Sequence, residues 1–288
     1  MAQTLDLVSV DVKQESSPKR EKPLPFHLIC DDFYALFLDS SRTYSCAKFY
    51  SPSTTLEEAQ QAKIDLALAK CELRAGYRLL DIGCGWGATA MRARRHHAVK
   101  VTGLTTSKTE YSFARQLAAG NPNVEFRLES WDEYGEPADR ILCVEALAHF
   151  GRKRYGQFFG KCRSLLEKGG ILVVQTLTQG QPNFSDDFLK FAGFLAKYVF
   201  PTGDIPAPEL ILRHARLNRF EVVSTESLRM DQVQTLDTWN ANLKAKRDEA
   251  VKLVGEPTYR VFRNYFALSA AYFRTGNFNL HQFKLRAI

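Results

Sequence analysis

The stretch Leu79-Leu-Asp-Ile-Gly-Cys-Gly-Trp-Gly87 decides the fold of this chain. An apolar strand ends at an acid, Asp81, and glycines follow at 83, 85 and 87 ahead of a helical segment. Glycine lets the backbone approach a ligand closely, and the start of a helix offers free N–H groups to a carboxylate. Dinucleotide-binding loops space their last glycine one residue further, to hold a pyrophosphate. The spacing here predicts that Asp81, Gly83, Cys84, Gly85 and Gly87 hold the amino-acid end of S-adenosylmethionine (SAM); a glycine turn without a ligand is the alternative.

Strands and helices alternate on both sides of this stretch. The pattern predicts strands at 78–82, 100–104, 124–128, 140–145 and 171–177, with helices at 87–97, 107–119 and 154–166. Regular alternation of this kind predicts an α/β fold, in which helices cover both faces of a parallel sheet.

The flanking segments add helices and a strand pair. Helices are expected at 31–38 and 55–73, the second with the capping pattern Thr55-Leu-Glu-Glu. Further along, the chain predicts a helix at 188–200, a Pro/Gly turn at 201–208, a helix to 217, a strand at 220–228, helices at 236–254 and 257–274, and a strand near 282–285. The last two strands are expected to form an antiparallel hairpin at the sheet edge.

Composition limits the class of protein. The chain has 288 residues, 45% of them hydrophobic, which suffices for one core with a small lid. We expect a flexible polar tail at 1–24 and one domain at 25–288, with lid segments near 180–208 and 229–275. The net charge of +7 suits an acyl carrier protein, a phosphate-bearing substrate or an anionic membrane surface, but such basicity is also common in proteins that bind none of these. Nucleic acid is not an expected partner.

Six scattered cysteines suggest neither a metal site nor disulfides. No apolar run approaches the ~18 residues that a membrane span needs, and the first residues are too polar for a signal peptide. A cytoplasmic location is therefore expected, and the sequence does not indicate the oligomeric state.

A ribose-bearing cofactor needs hydrogen-bond acceptors near the second strand. No acid ends that strand, so Glu110, shortly after Thr105, is the nearest carboxylate able to reach the sugar. After the third strand, Trp131 and Asp132 would suit an adenine ring, although Trp131 could equally be ordinary core packing.

Several segments together resemble the cyclopropane synthase and mycolic acid methyltransferase family over about residues 30–285. The matching stretches are 31–39 (DDFYALFLD), 43–47 (TYSCA), 55–68 (TLEEAQQAKIDLAL), 80–89 (LDIGCGWGAT), 103–108 (GLTTSK), 149–151 (HFG) and 235–239 (TLDTW). The resemblance implies a class I SAM methyltransferase with a Rossmann-like, mostly parallel seven-stranded sheet, N-terminal helices and a helical lid. It also implies SAM contacts from Tyr44, Ser45, the 81–87 loop, Thr105 to Glu110, Trp131 and Asp132. Relatives commonly carry Gln where this chain has Glu110.

The chain departs from that family at the acceptor. Relatives methylate an acyl double bond, and a bicarbonate held by Cys, Glu, His and Tyr removes the proton. Cys46 matches the first of these positions, whereas Ala148, Gln175 and Gln232 occupy the other three. A neutral set of this kind offers little to hold bicarbonate, so we expect activity without it.

A protein base is then needed, and Glu145 with His149 is the candidate pair. Four residues apart, they would share one face of a helical turn, where the carboxylate could orient the imidazole. The pairing resembles plant alkaloid N-methyltransferases that share the fold. A structural His149 is the alternative.

The helix at 188–200 is apolar nearly all round, so one side faces the core while another is expected to face a pocket, with Phe191, Phe194 and Tyr198 as lining residues. The expected function is methyl transfer from SAM to carbon or nitrogen of a hydrophobic acceptor. Two alternatives remain: an acyl-chain cyclopropane or methyl-branching enzyme of lipid biosynthesis, and a SAM-binding protein without catalysis.

Overall fold

The computed structural model describes residues 23–24, 29–181, 185–199 and 205–288. Its centre is a seven-stranded sheet in the order β3-β2-β1-β4-β5-β7-β6. The strands are β1 (Arg78–Ile82), β2 (Lys100–Thr105), β3 (Val124–Leu128), β4 (Ala138–Val144), β5 (Leu166–Gln179), β6 (Phe220–Ser227) and β7 (Phe278–Ala287). The first five run parallel, and β7 lies antiparallel between β5 and β6. The predicted α/β fold and its antiparallel edge are confirmed.

Helices cover the sheet and extend beyond it. They are α1 (Asp31–Ala35), α2 (Leu56–Cys71), α3 (Ala88–His97), α4 (Lys108–Leu117), α5 (Tyr155–Leu165), α6 (Asp186–Tyr198), α7 (Pro208–Leu217), α8 (Arg229–Ala245) and α9 (Arg247–Arg274). The capping box predicted for α2 is present, since the Thr55 side chain accepts from the Glu58 N–H and the Glu58 carboxylate accepts from the Thr55 N–H.

Three clusters of buried side chains hold these layers together. One lies where α2, α3 and α4 meet the sheet, and a second lies where α5 and α7 meet it. The third joins α1, α6, α8, α9 and the start of β7, and is rich in aromatic rings such as Phe37, Trp239 and Phe266. This third cluster is a separate layer beside the carboxyl ends of the parallel strands, where open α/β sheets bind ligands.

Some element bounds differ from the sequence-based prediction. The helix predicted at 31–38 ends at Ala35. The last strand extends well beyond 282–285 because it pairs with β5 and β6 along its length. The break predicted between residues 254 and 257 is present as a kink in α9, where Gly255 is non-helical (φ 77°) two residues before Pro257, and a further break that was not predicted separates α8 from α9 at Lys246.

Parts of the predicted tail and lid lie outside the described residues, namely 1–22, 182–184 and 200–204. At the end of the predicted tail, the Leu24 N–H donates to Thr258 Oγ1 on α9 at 3.0 Å. Within the part of the chain that is described, no helix has both the length and the apolar character needed to cross a membrane.

Candidate active site

A cavity of about 700 Å3 opens at the carboxyl ends of the parallel strands. Its wall combines the glycine loop after β1, the ends of β2 and β4, the 42–45 segment, and side chains of α6, α8 and α9. The sequence-predicted site residues in the wall are Tyr44, Ser45, Asp81, Gly83, Cys84, Gly85, Thr105, Glu110, Trp131, Glu145, Ala148, His149 and Gln232. Residues more than 180 positions apart in sequence therefore meet at one cavity.

The three glycines of the loop have different roles. All have positive φ, at 77°, 55° and 94° for Gly83, Gly85 and Gly87. A Cβ on Gly83 would lie 2.4 Å from the Ala146 Cβ, and one on Gly87 would lie 2.7 Å from the Phe126 ring. A Cβ on Gly85 meets no described atom within 4 Å, and Gly85 lines the cavity. Gly85 is thus where a ligand can approach the backbone, whereas Gly87, which lies outside the wall, is required by packing.

Asp81 presents an unsatisfied oxygen beside this loop. The residue is 2% exposed, and its Oδ2 has no hydrogen-bond partner among the described residues. Burial raises the pKa of Asp81 to about 7, and the charge of Lys63 opposes this shift. A buried carboxylate needs a donor or a cation. The amino group of SAM is such a partner, so the residues present fit the amino-acid end of the cofactor.

The predicted ribose and adenine contacts also lie at this end. Thr105 Oγ1 donates to Glu110 Oε2 at 2.6 Å, which fixes one carboxylate oxygen, and burial raises the pKa of Glu110. The Trp131 ring lines the cavity while packing against Phe150 and Phe158. It is therefore both a wall and a core residue.

Asp132 differs from its predicted placement. It lies outside the cavity wall as described, and its Oδ2 pairs with the Arg154 guanidinium at 2.7 Å. That guanidinium stacks 4.7 Å from the centroid of the Trp131 ring. Glu129, three residues earlier, is the carboxylate of this segment that lines the cavity.

The segment carrying Tyr44, Ser45 and Cys46 is held by residues that the sequence analysis did not single out. Asp39 Oδ1 accepts from the Thr43 N–H at 2.8 Å. From α2, Gln60 Nε2 donates to the Ser45 carbonyl at 2.8 Å and Lys63 Nζ donates to Ser45 Oγ at 2.7 Å. Gln60 and Lys63 are 0% and 1% exposed. Two polar side chains three residues apart on a buried helix face were the signal that could have identified them.

Glu145 and His149 both line the cavity, but not on one helical turn as predicted. Glu145 has φ 60°, in the left-handed region, and the 3-10 turn that contains His149 begins at Leu147. Glu145 Oε1 accepts from the Cys46 N–H and from Gln175 Nε2, each at 2.8 Å. Burial raises the pKa of Glu145 and lowers that of His149.

The other residues of the predicted acceptor site divide into two groups. Cys46 and Gln175 are fully buried and lie behind the wall, where they contact Glu145 rather than the cavity. Ala148 and Gln232 line the cavity, and Gln232 Oε1 has no partner among the residues that the structure describes. Burial raises the pKa of the Cys46 thiol, so it stays protonated.

Helix α6 lines the cavity with residues other than the predicted ones. Phe191, Phe194 and Tyr198 lie outside the cavity wall as described; Phe191 stacks on Tyr272 of α9 at 4.9 Å, and Phe194 packs on Tyr198. The adjacent stripe faces the cavity with Phe188, Ala192, Leu195, Ala196 and Val199. These positions follow a 3.6-residue period, and the apolar character all round the helix concealed which stripe would face inward.

A glycine loop at a parallel strand end, an unpaired acid beside it and a ribose-side carboxylate define a class I SAM-dependent methyltransferase with SAM as its cofactor. The family model for mycolic acid cyclopropane synthetase matches residues 19–283. The chain belongs to this family.

Individual relatives support this family membership. The chain is 40% identical over 266 residues to cyclopropane mycolic acid synthase 1 of Mycobacterium tuberculosis, covering 88% of this chain and 93% of the relative. Its fold matches the solved cyclopropane synthase MmaA2 of the same organism with a TM-score of 0.88 and 36% identity, over 90% and 95% of the two chains. The mycolic acid cyclopropane synthase CmaA1, solved with SAH and CTAB, matches with a TM-score of 0.87 and 39% identity, over 89% and 94%.

Proposed function

We propose that this enzyme transfers the SAM methyl group to carbon or nitrogen of a hydrophobic acceptor, and that its own side chains take up the released proton. The observation that carries this proposal is the continuity of the cavity: one wall includes the glycine loop, the side chains of Glu145 and His149, and the apolar stripe of α6. A bound SAM supplies an electrophilic methyl group on a sulfonium. The chain supplies the remaining requirements, which are binding, alignment and a proton acceptor.

The acceptor end of the cavity is suited to an apolar molecule. Phe188, Leu195 and Val199 of α6 line it together with Phe273, Phe278 and Leu280, and the Phe188 ring packs on that of Phe278. Burying apolar surface stabilises binding by about 25 cal/mol per Å2, so an acyl chain, isoprenoid or aromatic ring fits this lining. The CTAB in the CmaA1 structure carries an alkyl chain, and the relatives are named for mycolic acids, which supports a long-chain acceptor.

The lid and the proton acceptor belong to the same proposal. In this proposal the predicted lid segments, of which the structure describes 180–181, 185–199, 205–208 and 229–275, cover the acceptor, and the domain spans 25–288. Among the wall residues able to take a proton, Glu145 and His149 are the proposed acceptors. Glu145 accepts hydrogen bonds from Cys46 and Gln175, two positions that the family resemblance assigns to the bicarbonate site. The presence of such groups in the wall favours catalysis over simple SAM binding.

Product analysis tests the proposal directly. The enzyme is incubated with SAM carrying a deuterated methyl group and with two probe acceptors, an oleoyl phospholipid and N-methyldodecylamine. We expect SAH formation together with a labelled product that mass spectrometry identifies as a methylene-bridged acyl chain or a methylated amine. If the enzyme consumes no SAM with either probe or with an aromatic amine, the proposal of a hydrophobic acceptor is contradicted.

A further inference from the structure

The backbone at Glu145 is strained at the point where it enters the cavity. Its φ of 60° lies in the left-handed region, which is unfavourable for a residue that carries a Cβ. The strand end is nevertheless anchored, because the Glu145 N–H donates to the Gln175 carbonyl at 2.7 Å. Strain maintained by the surrounding structure is a feature of functional sites.

The Glu145 carboxylate fills a two-donor anion site. The Cys46 N–H and Gln175 Nε2 both donate to Oε1, and these donors come from residues 99 and 30 positions away. Gln175 is itself oriented, because its Oε1 accepts from Gln282 Nε2 on β7 at 2.9 Å, and both glutamines are 0% exposed. The rigid donors select an anion at this position.

Charged and titratable groups from three other elements face this carboxylate. The Lys63 ammonium of α2 attracts it, and burial raises the pKa of the phenols of Tyr44 and of Tyr265 on α9, with the charge of Glu145 adding to the rise. The Cys46 thiol is similarly affected. Burial raises the pKa of Glu145, so its carboxylate binds a proton more readily than an exposed glutamate does.

We infer that the Glu145 carboxylate is a built-in replacement for a diffusible bicarbonate base and accepts the proton that the methylated acceptor loses. The inference rests on the proposed function. When the acceptor gains CH3 it gains one positive charge; a C–H or N–H bond then breaks, its electron pair stays with the product, and the proton binds Glu145. The carboxylate becomes neutral and returns the proton to solvent before the next turnover.

Two of the four positions that the family resemblance assigns to bicarbonate, Cys46 and Gln175, thus hold a side-chain carboxylate in this chain. Ala148, at a third position, presents only a methyl group to the cavity. The anion site is therefore retained, and the anion that fills it is the carboxylate of Glu145, which is part of the chain. Removing that anion while keeping its donors should therefore restore a site for a free one.

The experiment replaces Glu145 with glycine, which tolerates φ 60°. Glu145→Gly keeps the Cys46 N–H, Gln175 and Lys63, so turnover should fall by about 10²–10⁴-fold, the range for losing a general base, and recover substantially when bicarbonate or formate is added. Wild-type turnover should not respond to either anion. Glu145→Gln is the matched control: it fills the site without charge and should stay inactive with or without the anions.

A second readout separates this inference from the proposed function. Carbon-13 NMR of labelled formate should show binding to Glu145→Gly and none to the wild type or to Glu145→Gln, whether or not an acceptor has been found. Circular dichroism and SAM affinity confirm that the variants are folded. Wild-type turnover that depends on bicarbonate, full activity in Glu145→Gly, or a folded Glu145→Gly that neither binds formate nor is rescued would each overturn the inference. Absence of methylated product from the wild type alone overturns only the proposed function.

Discussion

The two ends of the cavity are assembled in different ways. The cofactor end comes from short local motifs, since the 81–87 loop, Thr105 with Glu110, and Trp131 follow successive strands β1 to β3. The acceptor end is assembled from residues distant in sequence, because Cys46, Glu145 and Gln175 meet through hydrogen bonds across three elements. Motifs define the cofactor end, whereas tertiary contacts define the acceptor end. Members of a family can therefore keep the cofactor end and differ at the acceptor end.

The largest effect is expected at the loop itself. In Gly85→Val the added side chain enters the open space where SAM meets the backbone, so calorimetry should detect no SAM binding. Part of any loss of stability comes from placing valine at φ 55°. Gly120→Val is the control, since Gly120 also has positive φ (79°) and open surroundings but lies outside the cavity wall as described. Unchanged SAM affinity in Gly85→Val with a folded protein would move the site elsewhere.

The ribose contact should have a smaller effect. Glu110→Ala removes an acceptor that Thr105 Oγ1 orients, and SAM binding should weaken by about 1.5–3 kcal/mol, the range for a hydrogen bond to a charged group. Glu110→Gln retains an acceptor oxygen and should be mild. Calorimetric titration of the three proteins measures this order, and equal affinities would show that the ribose does not contact Glu110.

The pH dependence of SAM binding examines the cofactor end further. In the free protein the pKa of Asp81 is about 7, and the SAM ammonium should favour its ionised form. Binding therefore expels a proton below pH 7, and affinity should fall as the pH is lowered, approaching about tenfold per unit well below the pKa. Asp81→Asn should bind more weakly and show a flat profile from pH 5.5 to 7. Parallel profiles for the two proteins would assign the dependence to another group, such as Glu110, whose pKa burial also raises.

The cofactor end and most of the sheet could be predicted from the sequence because both depend on local patterns. The strands β1 and β3 lie where predicted, and the loop glycines line or support the cavity. The partner of Glu145 could not be predicted, because spacing of four residues suggested a helical turn and did not reveal its left-handed backbone or the Cys46 and Gln175 donors. The inward stripe of α6 was equally hidden, since apolar residues occupy both of its faces.

The smallest effect is expected at His149, and it separates the two candidates for the base. If Glu145 takes the proton, His149→Ala should reduce turnover by well under the ~10²–10⁴-fold cost of losing a general base, with SAM affinity nearly unchanged. Burial lowers the pKa of His149, so any rise in the wild-type rate that is due to deprotonation of this imidazole should occur at lower pH than for an exposed histidine. Steady-state rates from pH 5.5 to 8.5 for His149→Ala, His149→Gln and the wild type measure this. A loss as large as that of Glu145→Gln, with the pH dependence abolished, would make His149 the proton acceptor and leave Glu145 as the residue that positions the cavity wall.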